Sequence, residues 1–74
     1  MANRKLQMLK ALRVQHDITQ RDMAKRLGLA PNSYNHKENG KQQFSQNEID
    51  KILSMFNKSY EEIFLPEGYA QVEQ

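Results

Sequence analysis

The chain has 74 residues, of which 38% are apolar and 27% charged, with two prolines, no cysteine and a formal net charge of +2. That length suits one domain at the lower edge of what can bury enough apolar surface to fold alone, and the composition excludes a disordered tail. Disulfide frameworks and thiolate metal sites are excluded as well, and no apolar run is long enough for a secretory signal or a membrane span, so the expectation is a soluble, cytoplasmic protein.

Leu6, Leu9 and Leu12, with Met8 beside them, put an apolar stripe on a first helix from about Arg4 to Gln15, ending at His16-Asp17 before Ile18. Thr19 with Asp22 forms a capping pair in which the hydroxyl satisfies an orphan amide and the acid suits the positive helix end. The second helix runs from Gln20 to Leu27 with Met23, Ala24 and Leu27 inward, and Gly28 supplies a left-handed stop. A third helix spans Pro31 to Asn39, with proline at its first position and Gly40 as its terminator. Ser45 with Glu48 and Ser59 with Glu62 are capping boxes. The first opens a helix whose apolar face is Ile49, Ile52, Leu53 and Phe56, stopping near Asn57; the second opens a short helix through Tyr60, Ile63 and Phe64 that Pro66 forbids to continue. The expected fold class is all-α, a compact bundle of five helices in a domain at 1–65, followed by a C-terminal tail at 66–74 that is flexible or associated with a dimer.

Charge is distributed unevenly along the chain. Residues 1–41 carry nine Lys/Arg against three acids, a net of +6, whereas residues 42–74 carry two lysines against six acids, a net of −4. Such a dipole suits a polyanion on one side only, or merely solvates helix faces. The second and third helices, joined by Gly28, Leu29 and Ala30 and approaching closely at the small Ala24, follow helix-turn-helix grammar. At 100° per residue, Asn32, Ser33 and His36 share one side of the third helix, with Asn35 and Asn39 at its edge and Tyr34 opposite. That outer face is either ordinary solvated surface or a reader of the donor and acceptor pattern in a DNA major groove.

The run "LKALRVQHDITQRDMAKRLGLAPNSYNHKENGK", continued by "FSQNEIDKILSMFNKSYEEIF", resembles the Cro/repressor-type helix-turn-helix family of phage and bacterial regulators. The resemblance spans Leu6 to Phe64 and rests on Leu9, Arg13, Thr19-Gln20, Ala24, the Leu27-Gly28-Leu29 turn, "ENG" at 38–40 and the closing "EEIF". It implies a lambda-repressor-like domain and a sequence-specific transcriptional regulator that binds a double-stranded DNA operator. Pro31, Asn32, Ser33 and His36 fall where the family touches base edges. Gln20, Arg21, Asn35, Asn39 and Lys41 are the corresponding candidates for phosphate contacts, and Arg13 and Glu38 occupy the positions of a structural ion pair. Because one short helix touches few base pairs, a homodimer on a palindrome is expected, its surface assigned to the acidic half around the fifth helix and the tail.

Some positions depart from the family pattern. Ala30 stands where a capping Ser or Thr is usual, Phe44 replaces a loop proline and either seals the core or serves a dimer, and Pro31 offers a thymine methyl only an apolar surface. Lys37 replaces an apolar residue, so its stem is expected along the core with the ammonium escaping to water. No chemistry of another kind is legible. His16 and His36 lack acids or cysteines at ligand spacing, no nucleophilic triad or phosphate-cradling glycine loop is present, and the adjacent Glu61-Glu62 point in different directions on a helix. The expectation is a non-enzyme without metal, cofactor or small-molecule ligand. Two further readings stay open: an antitoxin that binds DNA and also a toxin, and a helix-turn-helix module that contacts only proteins.

Overall fold

The computed structural model describes residues 6–64, so Arg4 and Lys5 in the expected first turn and the tail at 66–74 lie outside the described residues. Five helices follow in order: α1 Gln7–Gln15, α2 Gln20–Leu27, α3 Pro31–Glu38, α4 Gln46–Phe56 and α5 Tyr60–Ile63. The described residues contain no strand. Helix α3 stops one residue short of the expected Asn39, because Gly40 turns left-handed at φ 80° and Asn39 becomes the cap.

The starts of α2, α4 and α5 have a local cause. The Thr19 hydroxyl accepts from the Asp22 amide at 3.0 Å, and both serine boxes are reciprocal, with Ser45 facing Glu48 and Ser59 facing Glu62. The ends share one device. In α1 to α4 a left-handed residue, in turn Asp17, Gly28, Gly40 and Asn57, lets the next amide reach back to the last full turn. The bonds are Ile18 N to Arg13 O at 2.9 Å, Leu29 N to Ala24 O at 2.8 Å, Lys41 N to His36 O at 2.8 Å and Lys58 N to Leu53 O at 3.1 Å. This is the Schellman arrangement, which satisfies carbonyls that the helix leaves unpaired.

Leu6, Leu9, Met23, Tyr34, Ile52, Ile63 and Phe64 are fully enclosed at the centre, and all five helices contribute to the core around them. Phe44 seals it from the α3–α4 loop, its ring 6.0 Å from Tyr34 and 6.3 Å from Phe64. The Lys37 ammonium does not escape to water. It binds Glu48 Oε1 at 2.7 Å while lying over the Phe44 ring at 5.9 Å, because the Ser45 capping box holds the Glu48 carboxylate within reach of α3. The amide of Leu6 donates to the Glu38 carbonyl at 3.0 Å and ties the start of α1 to the end of α3. No helix among the described residues is long and apolar enough to cross a membrane.

Candidate nucleic-acid interface

The site grows from the α2–α3 connection. Ala24 is buried and has only a methyl group, so α3 packs closely on α2, and the left-handed Gly28 at φ 74° turns the chain while Leu29 packs against the core. Helix α3 then begins with Pro31, whose missing amide is no loss at a first helical position. Its Ala30 cap has the extended geometry of a capping residue, φ −72° and ψ 151°, but no side-chain bond to an amide.

Tyr34 pins α3 inward with no exposed surface, which turns Pro31, Asn32 and His36 outward; Ser33 is half-buried. None of these four side chains hydrogen-bonds another described residue. Arg21 and Lys41 are exposed on the same α2–α3 unit, at the head of α2 and in the loop after α3. Gln20, Asn35 and Asn39 are drawn into one chain of bonds instead. Gln20 Nε2 donates to Glu38 Oε1 at 2.8 Å, Asn35 Nδ2 to Gln20 Oε1 at 3.0 Å, and Asn39 Nδ2 to Asn35 Oδ1 at 3.3 Å.

Beneath this chain lies the charged anchor. Arg13 Nε meets Glu38 Oε2 at 2.8 Å, Arg13 Nη2 meets Oε1 at 3.3 Å, and the Tyr34 hydroxyl donates to Oε2 at 2.7 Å. Arg13 Nη1 also donates to the Ile18 carbonyl at 2.9 Å, so one guanidinium joins α1, the α1–α2 turn and α3. Burial works to raise the Glu38 carboxyl, but the bonds from Arg13, Tyr34 and Gln20 and the Arg13 charge outweigh it and hold the group below the usual carboxylate range. Burial and the neighbouring carboxylate push the Tyr34 phenol far up, so it stays a donor. A carboxylate with this many donors is a fixed negative charge, and breaking the pair from either side costs about 3 to 5 kcal/mol.

Between the start of α1, the start of α2 and the end of α3 opens a cleft of about 170 Å³, lined by Gln7, Lys10, Gln20, Asn35 and Asn39 with Glu38 beneath. Sequence reasoning did not single out Gln7 and Lys10. Their signal was present: they stand three apart on α1, at the edge of the stripe that carries Leu6, Leu9 and Arg13.

A helix-turn-helix family model matches residues 9–63. The antitoxin PezA of Streptococcus pneumoniae is 42% identical over 55 residues, covering 74% of this chain and 35% of that protein, so the chain spans about a third of that relative's length. Two crystal structures of the clp gene regulator ClgR from Corynebacterium glutamicum superpose with TM-scores of 0.70 and 0.67 at 15% and 16% identity. They cover 88% and 90% of this chain and 69% and 87% of their own, and at such identity the likeness is one of fold. With the family model spanning α1 to α5, the chain belongs to the Cro/repressor-type helix-turn-helix family and has the fold of DNA-binding regulators.

Proposed function

We propose that the chain is a sequence-specific transcriptional regulator that lays α3 in the major groove of double-stranded DNA. The observation that carries this reading is the outward face of Pro31, Asn32 and His36, with half-buried Ser33 beside them, on a helix held from behind by buried Tyr34 and Glu38. Asn and His side chains match the donor and acceptor edges of bases, and the Pro31 ring suits a thymine methyl. Arg21 and Lys41 flank that face and grip phosphates, which gives affinity without sequence information. Gln20, Asn35 and Asn39 reach the backbone through the hydrogens that their chain of bonds leaves over. Two copies on a palindromic operator supply the specificity that one short helix lacks. Half-sites one DNA turn apart, about 34 Å, are the spacing expected for such a pair.

Selection of bound duplexes from random DNA, repeated with Asn32→Ala and His36→Ala, tests the assignment. Each variant is expected to relax preference at one base pair, worth about 1 to 3 kcal/mol; uniform weakening across all positions would assign that residue to phosphate instead. The relation to PezA favours a second reading, a DNA-binding domain of an antitoxin that also holds a toxin. A toxin that co-purifies with the chain and is neutralised by it would support that reading.

A further inference from the structure

Glu38 is 3% exposed and its carboxylate accepts from four donors, two on each oxygen. An ionised carboxylate offers roughly four lone-pair sites and no hydrogen, so Gln20 can meet it only with its nitrogen. A reversed Gln20 amide would set oxygen against oxygen and leave an unsatisfied buried acceptor. The direction then propagates. With its nitrogen turned inward, Gln20 presents Oε1 to Asn35, which must answer with Nδ2 and so presents Oδ1 to the Asn39 nitrogen. Two of the three amide oxygens are thereby consumed, while each nitrogen spends one of its two hydrogens and keeps the other. These three amides line the cleft of about 170 Å³ into which Lys10 of α1 also faces. The Glu38 carboxylate also lines the cleft, but each of its oxygens is already taken by two donors, so what the lining still offers is surplus N–H groups and the Lys10 side chain, which suit an anion.

We propose that Glu38 is a positioning residue for backbone recognition: its buried charge sets the direction of the Gln20, Asn35 and Asn39 amides, which with Lys10 then seat one DNA phosphate in the cleft. This rests on the DNA-binding reading above. Glu38 never touches DNA; it acts through Gln20. The assignment also adds Lys10 to the residues that contact DNA.

The test replaces single phosphates of a bound duplex, one at a time, by neutral methylphosphonates. For the wild-type chain a replacement at the seated phosphate, one in each half-site, is expected to weaken binding about tenfold, as befits charge-assisted hydrogen bonds. In E38Q the penalty at the seated phosphate of each half-site should fall below about twofold, with the penalties at all other phosphates unchanged. Lys10→Ala should reduce the same penalty and lower the salt slope by about 0.9 for each protomer. A merely structural Glu38 would shift every position alike in E38Q, and that result overturns the proposal. Because Glu38→Gln also strands Arg13 and lowers the stability of the fold, a second measurement uses the wild-type chain alone. NMR couplings transmitted across hydrogen bonds should link Gln20 Nε2 to the Glu38 carboxyl carbon and Asn35 Nδ2 to the Gln20 amide carbon. Their absence from the folded protein overturns the proposal whatever E38Q does. A folded wild-type chain that ignores duplex DNA overturns the proposed function itself, even with both couplings present.

Discussion

Glu38 concentrates the energetics of the site in one side chain. Its folded pKa is depressed, so its ionised form stabilises the protein above the unfolded carboxylate value of about 4.3. That contribution is lost as pH falls through the lower folded value. Glu48, held by Lys37 and the Ser45 amide against the opposing effect of its own partial burial, and exposed Glu62, held by the Ser59 amide, are also depressed and add to the same acid loss. Tyr34→Phe separates Glu38 from them, because it removes a single donor and leaves the ring in the core. It should cost about 1 to 2 kcal/mol at neutral pH. It should also flatten the decline in stability between roughly pH 5 and 3, since the Glu38 pKa moves back toward its unfolded value. Urea denaturation of both proteins across that range measures the two effects, and parallel curves would remove Tyr34 from the carboxylate's support. Only part of this site could be read in the sequence. Asn35 and Asn39 were legible as polar residues at the edge of α3 and Gln20 at the head of α2, whereas Arg13 and Glu38 stand 25 positions apart and their pairing, which the structure forms, was legible only through the family resemblance. The direction of each amide depends on a buried charge that no local pattern encodes.

At the level of elements, legibility follows the range of the forces. The capping pairs at Thr19, Ser45 and Ser59 act within one turn, so their sequence signatures give the starts of α2, α4 and α5 directly. Gly28 and Gly40 mark ends for the same reason. Asp17 and Asn57 adopt the same left-handed conformation at φ 58° and 55°. Neither residue type demands it, so only the termination of apolar periodicity pointed to those ends. Capture of Lys37 by Glu48 joins α3 to α4 and was invisible until packing had set the two helices together. Helix α3 keeps one local deficiency. Ala30 already has the dihedral angles of a capping residue and supplies no oxygen, so Ala30→Ser needs no rearrangement of the backbone to bond the Ser33 amide. The gain should be about 1 kcal/mol, or a rise of roughly 4 to 8 °C in the thermal midpoint for a domain of this size. A calorimetric scan checks it. An unchanged midpoint would mean that the Ala30 cap is already satisfied by solvent as well as by a hydroxyl.

The sequence divides its charge between a basic and an acidic half, but folding changes which cations a polyanion can meet. Of the nine basic residues in positions 1–41, Arg13 is buried against Glu38 and Lys37 is bound by Glu48, while Lys10, Arg21, Lys25, Arg26 and Lys41 remain exposed. Arg4 and Lys5 lie outside the described residues. A lysine already neutralised within the protein releases no counterion when DNA docks, whereas an exposed one set against a phosphate does. Lys37 and Lys41 stand four positions apart at the end of α3 and would be indistinguishable by charge or sequence position. They are opposite in this respect. Lys41→Ala should weaken binding uniformly across sequences and reduce the slope of log affinity against log salt by about 0.9 for each protomer. Lys37→Met keeps the stem over Phe44 and should leave that slope unchanged, although it strands Glu48 and lowers stability. Binding titrations at several salt concentrations, under conditions where both variants are fully folded, separate the two. If Lys37→Met lowered the slope as much as Lys41→Ala, the ion pair with Glu48 would have to open on DNA, and the basic face would include α3 itself.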